Sequence, residues 1–169
     1  FLGLISQAYT QQTFDVIIIG GGASGTAAGI SAARSGASTL LVEGTPWFGG
    51  MLTSAGVSAI DGNHRLPSGI WGEFRDSLIA RYGSQQALST GWVSNTLFEP
   101  KVGQEILRNM VNATPNLSYY LNSDWKKAAY ENGVWVVEFI TNGKSHRAES
   151  KILIDATELG DVAASLGLT

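Results

Sequence analysis

Gly20-Gly21-Gly22-Ala23-Ser24-Gly25 and Glu43 are the residues of this 169-residue chain whose types and spacing point most directly to chemistry. The glycine run fits G-x-G-x-x-G, a backbone cradle for a pyrophosphate. Gly20 permits a tight turn off a strand, and Gly22 lets backbone approach phosphate without a Cβ in the way. Gly25 lets the helix that follows pack close on the strand. A helix opening near Ala23 aims its unpaired N–H groups and positive dipole end at the phosphates. Glu43 lies 23 residues after Gly20. There a carboxylate accepts hydrogen bonds from the 2′- and 3′-hydroxyls of a ribose and repels a 2′-phosphate, which argues against NADP. Either feature alone has a plain reading, a tight turn or a solvated strand end. Together, between a strand and a helix, they select a dinucleotide, and both FAD and NAD satisfy them.

Such residues need elements to hold them. Asp15-Val16-Ile17-Ile18-Ile19 is a continuous apolar β-branched run ending at glycine, the pattern of a parallel strand buried on both faces. Residues 24–35 are rich in small side chains and stop at Gly36, and residues 38–42 form a second strand closed by Glu43. Strand, helix and strand within about 30 residues make a right-handed βαβ unit. Residues 44–72 are glycine-rich and irregular, longer than a plain connection, and too apolar to be disordered. The pattern predicts a short helix over 72–82, a longer one opened by Pro100 with Val102, Ile106, Leu107, Met110 and Val111 on one face, and a third strand over 117–121. Residues 125–130, 133–140 and 145–151 read as an antiparallel meander, because Asn132-Gly133 and Asn142-Gly143 are strong hairpin signals. Residues 152–154 resume the parallel sheet, and 161–166 begin a helix.

Composition narrows the partners. A net charge of −3 leaves no basic footprint for nucleic acid. No cysteine is present, which excludes a redox dithiol, a thiolate zinc site and disulfides within this segment. Residues 1–12 read as a leader. Phe1-Leu2-Gly3-Leu4-Ile5 is followed by Ser6-Gln7-Ala8, with small residues where signal peptidase needs them, so export to the periplasm or medium stands beside a cytoplasmic location. No other stretch approaches the ~20 apolar residues of a membrane span.

The run from Asp15 to Gly25, Glu43, Gly49-Gly50-Met51-Leu52-Thr53, and Ile152-Leu153-Ile154-Asp155-Ala156-Thr157-Glu158-Leu159-Gly160-Asp161, with Phe98-Glu99-Pro100, together resemble the FAD-dependent oxidoreductases with a glutathione-reductase-type FAD domain. Some relatives carry a xanthan lyase label. The resemblance covers residues 14–169 and implies an FAD/NAD(P)-binding Rossmann-like three-layer ββα fold, a parallel sheet with an inserted antiparallel β-meander. It implies that residues 13–169 are the FAD-binding domain of a longer flavoprotein whose substrate domain lies elsewhere. It further implies that Gly20, Gly22, Ala23, Ser24 and Gly25 hold the pyrophosphate and Glu43 the adenosine ribose. Gly49, Gly50, Met51 and Thr53 would run along the isoalloxazine edge. Thr157 would contact the flavin side, and Asp161 would accept from a ribityl hydroxyl. Adenine would lie near Asp124 and Trp125. Two departures stand out: Glu158 occupies the place of a common glycine, and Gly44-Thr45-Pro46-Trp47 lacks the basic residue often found after Glu43.

The function implied is an FAD enzyme taking a hydride at flavin N5 from a small organic substrate, with no metal and no catalytic side chain yet identified. The alternatives are an NAD-dependent dehydrogenase, a non-catalytic FAD-binding module, and a polysaccharide-lyase-associated protein; the lyase has no base and charge neutraliser among these residues. His64 and Arg65 could face the flavin, though a polar-loop histidine is more often solvated. His146 reads as surface. Trp47, Phe48, Trp71, Trp92 and Phe98 could line a pocket, whereas Trp125 and Trp135 should pack the meander. Asn112-Ala113-Thr114 and Asn116-Leu117-Ser118 match glycosylation sequons.

Overall fold

A computed structural model describes residues 11–62, 64–92 and 94–168. The expected cleavage signal at Ser6-Gln7-Ala8 lies outside the described residues. The βαβ unit is present as β1 (Gln11–Ile19), α1 (Ala23–Arg34) and β2 (Thr39–Val42). Two residues placed within the expected 1–12 leader belong to the fold. Gln11 and Gln12 extend β1 by pairing with Arg147 and Ala148, partners that no local pattern reveals.

The irregular stretch that follows carries a 3-10 turn at Gly50–Leu52. Helix α2 (Gly69–Tyr82) starts three residues before its expected position. A four-residue α3 (Gln85–Leu88) escaped the sequence reading because it is too short to show a period; its cap is Ser84 Oγ, accepting from Ala87 N–H at 3.2 Å. Helix α4 (Pro100–Asn112) opens on proline and buries Leu107, Met110 and Val111, with Val102 and Ile106 half-buried beside them. Strands β3 (Leu117–Tyr120), β4 (Ser123–Glu131), β5 (Val134–Thr141) and β6 (Lys144–Asp155) precede a short α5 (Asp161–Ser165).

The sheet runs β3-β2-β1-β6-β5-β4, parallel from β3 to β6 and antiparallel from β6 to β4. Both Asn-Gly pairs carry left-handed φ values, 51° and 88° at Asn132-Gly133 and 50° and 73° at Asn142-Gly143, as a type I′ hairpin requires. The third meander strand and the resumed parallel strand are one continuous β6, not two. It starts against β5 alone, is sandwiched between β1 and β5 over residues 147–150, and continues along β1 to the Ile19–Asp155 pair.

Side chains alternate across β1 and β2, so the two strands feed two cores. Val16, Ile18 and Leu41 face α1, α2 and α4, meeting Ile30, Phe74, Leu78 and Leu107. Ile17, Ile19, Leu40 and Val42 face the meander, meeting Ala128, Val137, Phe139 and Ala148. These are the three layers expected, and they explain why the strand reads as uniformly apolar.

Asp15 ties the lower end together. Its carboxylate accepts from Lys151 Nζ at 2.8 Å, from Ser38 N–H at 3.0 Å and from Ser38 Oγ at 2.9 Å. Those bonds, the Lys151 one foremost, hold its pKa at about 2, against an ordinary 3.8. A carboxylate with a depressed folded pKa stabilises above its unfolded value, and that stabilisation is lost as pH falls through the folded one. The difference in melting temperature between wild type and Asp15→Asn should therefore be constant above pH 5 and shrink between pH 4 and pH 2. An undiminished difference at pH 2 would count against this account.

Candidate functional site

A cleft of ≈ 720 Å³ opens at the carboxyl ends of the parallel strands, where open α/β sheets take their ligands. Its walls are the β1–α1 turn, residues 42–45, the 3-10 turn, the start of β4 and the loop after β6.

Three backbone segments meet at its base. Gly20 has φ of 100°, and a Cβ there would stand 2.4 Å from the Ala156 carbonyl oxygen. A Cβ on Gly25 would stand 1.8 Å from the Gly20 carbonyl oxygen and 3.0 Å from Ala156 Cβ. Strand end, helix start and β6 exit are thus in direct contact. Gly22 differs, because a Cβ on it would meet only Glu158 Oε1, at 3.4 Å. Gly22 is also the N-cap of α1. No side chain caps that helix, and its first turn holds no acidic residue, so its leading N–H groups are left for a ligand. Ala23 and Ser24 are exposed there.

Glu43 is 7% exposed at the end of β2. Its Oε2 accepts from Gly21 N–H at 2.5 Å and its Oε1 from Thr45 N–H at 2.7 Å. A carboxylate has about four acceptor positions, so two remain for hydroxyl donors. The Glu43 backbone binds β4 as well, through Ser123 N–H to its carbonyl at 2.9 Å. This link brings Ser123, Asp124, Trp125 and Lys126 to the wall beyond Glu43. Sequence reasoning pointed to Asp124 and Trp125 but missed Ser123 and Lys126; the signal was the strand following β3. Trp125 belongs to the cleft as well as to the meander packing that was expected of it.

Of the residues named from sequence, Gly20, Gly22, Glu43, Gly50, Met51 and Thr157 line the cleft, joined by Ala156 and Glu158. Others do different work. Gly49 N–H donates to the Gly21 carbonyl at 2.8 Å, so it docks the 49–53 segment onto the first glycine turn and has no free donor for an isoalloxazine edge. Thr53 is 1% exposed, with Oγ1 donating to the Phe48 carbonyl at 2.5 Å, and it faces the core. Gly25 serves packing rather than the cleft wall. Asp161 is exposed and outside the lining; its N–H donates to Thr157 Oγ1 at 2.7 Å.

Asp155 organises that last turn. It accepts from Thr157 Oγ1 at 2.7 Å, Thr157 N–H at 3.0 Å and Ala163 N–H at 2.8 Å. Burial pushes its carboxyl up, but these bonds together outweigh it and hold the pKa below the usual range. No local pattern distinguished Asp155 from Asp161 in the sequence.

The remaining candidates disperse. His64 and Arg65 lie outside the cleft lining, in a loop where His64 N–H donates to the Gly62 carbonyl at 3.0 Å. Phe48 and Phe98 are core residues, set edge-on to Tyr119 and Phe74. Trp71 packs against the helical core, Trp47 is half-buried, and Trp92 is 97% exposed. Trp135 meets Tyr130 in the meander. His146 is half-buried, not surface, and stacks on Phe139 with ring centres 5.1 Å apart. Among the described residues, no helix is long and apolar enough to cross a membrane.

Comparison with known proteins bears on this geometry. The sequence model of a family described as FAD dependent oxidoreductase matches residues 15–169. A stretch of 47 residues is 43% identical to a 3-oxosteroid 1-dehydrogenase of Mycolicibacterium smegmatis, covering 28% of this chain and 8% of that protein. A flavoprotein/dehydrogenase from Cytophaga hutchinsonii superposes with a TM-score of 0.65 at 16% identity, over 92% of this chain and 42% of that one. A geranylgeranyl bacteriochlorophyll reductase-like protein from Thermoplasma acidophilum gives 0.62 at 21%, over 95% and 43%. At such identities these two structures share the fold, and this chain spans less than half the length of each.

Proposed function

The chain belongs to the FAD-dependent oxidoreductase family, and on that premise we propose that its cleft binds FAD for the oxidation of a small organic substrate. One observation carries the reading. The uncapped α1 N-terminus, with its Cβ-free Gly22, and the buried Glu43 carboxylate, with acceptor positions to spare, open into one cleft. A pyrophosphate suits the first and a ribose diol the second.

In this arrangement Gly22, Ala23 and Ser24 would present N–H donors to the pyrophosphate, and Glu43 would accept from the adenosine ribose. Trp125 would offer its ring to adenine. Gly50, Met51, Ala156 and Thr157 would bound the flavin end. FAD, when bound, supplies hydride acceptance at N5. This chain's part is to bind it, orient it and keep the αβ junction rigid.

The test is titration of the purified protein, stripped of small molecules, with FAD and separately with NAD⁺. Quenching of flavin fluorescence with 1:1 saturation and a yellow complex after desalting is the expected result. Saturable binding of NAD⁺ with no binding of FAD would overturn the reading.

A further inference from the structure

The charges around the cleft are unbalanced. Glu43, Asp124 and Glu158 line it, and among the described lining residues Lys126 is the single cation. Lys126 already faces Asp124 at 3.7 Å. Glu43 is engaged by two backbone donors. Glu158 is not: among the described residues its carboxylate has no hydrogen bond and no ion pair. Its Oε1 instead stands 3.4 Å from where a Cβ on Gly22 would lie, and 3.4 Å from where one on Gly50 would lie. The carboxylate therefore hangs over the Cβ-free surface in front of α1.

Its backbone is fixed while its side chain is free. Asp155 holds the turn from below through Thr157 and Ala163, and Gly160, with φ of 69°, passes the chain into α5. Glu158 itself is exposed, so its side chain reaches solvent by rotation alone. A helix N-terminus attracts whichever anion is near, and a tethered carboxylate competes there with a diffusing phosphate.

We propose that Glu158 is a displaceable carboxylate standing in the pyrophosphate position, which weakens the hold of this chain on its dinucleotide until the side chain swings out. The proposal rests on the reading of the cleft as an FAD site. It makes Glu158 a residue that tunes cofactor affinity through charge, with no part in the redox step.

Calorimetry of ADP and of adenosine with wild type, Glu158→Gln and Glu158→Ala tests it without turnover. Both variants should bind ADP about five-fold tighter than wild type at low ionic strength, and the gap should close to under about two-fold in 0.5 M salt, where charges a few ångströms apart are screened. Adenosine, which has no phosphate, should bind all three alike. Equal or weaker ADP binding by Glu158→Gln overturns the proposal, as does an equal gain for adenosine. Binding of neither ADP nor FAD by any of the three proteins overturns the cofactor reading itself, and the inference with it.

Discussion

Gly25→Ala should lower the melting temperature by about 6–12 °C and abolish FAD binding together. A Cβ at this position would lie 1.8 Å from the Gly20 carbonyl oxygen, a backbone atom of the very turn that holds the cleft. A flexible side chain could yield; this carbonyl cannot move without shifting β1, and Ala156 Cβ blocks the other side at 3.0 Å. Overpacking of a rigid site costs about 1–3 kcal/mol, and contact with backbone on one side and the Ala156 methyl on the other places this one near the top. For a chain of this size each kcal/mol is about 2–4 °C. Gly22→Ala is the informative partner, because its Cβ would meet only the end of the flexible Glu158 side chain. Its melting temperature should stay within about 2 °C of wild type while FAD affinity falls at least about ten-fold, since a methyl group then stands where phosphate must approach backbone. Scanning calorimetry with flavin fluorescence titration separates the two. A Gly22→Ala protein that binds FAD as wild type does would remove Gly22 from the phosphate site.

Glu43→Ala carries the second large effect. The carboxylate satisfies the N–H groups of Gly21 and Thr45, and Gly21 is buried. Truncation leaves that buried donor without an acceptor, at about 1–3 kcal/mol. It also removes the acceptor for the ribose diol. Two hydrogen bonds to a charged group contribute roughly 3 kcal/mol together, so FAD affinity should fall about 100-fold. Glu43→Gln should sit between, because one amide oxygen still accepts while the amide NH₂ confronts a backbone N–H. The reading predicts a matching loss for ADP, since the adenosine half is shared. FAD affinity within about three-fold of wild type in Glu43→Ala would show that the ribose is held elsewhere.

These two sites bracket what local pattern can and cannot carry. The G-x-G-x-x-G turn, Glu43, the helix signals at Pro100 and Gly36, and both Asn-Gly hairpins were legible because each depends on neighbours within a few residues. Periodicity, φ preference and capping are local properties, so the βαβ unit, α4 and the meander followed from them. The boundaries that moved at β1 and β6 did so for non-local reasons. Gln11 and Gln12 are strand only because Arg147 and Ala148 lie beside them, and β6 is continuous only because β1 pairs with it from Arg147 to Asp155.

Within the cleft the same division holds. By itself the sequence determined that a dinucleotide-binding turn exists and that an acidic residue closes the second strand; the choice of FAD over NAD came from the family resemblance. The tertiary structure alone decided which named residues reach the cleft. Gly49 and Thr53 turned inward, because a backbone N–H and a hydroxyl in that segment had carbonyl partners at Gly21 and Phe48 to satisfy. Asp155 rather than Asp161 became the anchor of the last turn, and Glu158 came to rest over Gly22. Where a partner lies far along the chain, as Gly21 does for Gly49 and Gly22 for Glu158, spacing in sequence carries no information about it, and only packing settles the outcome.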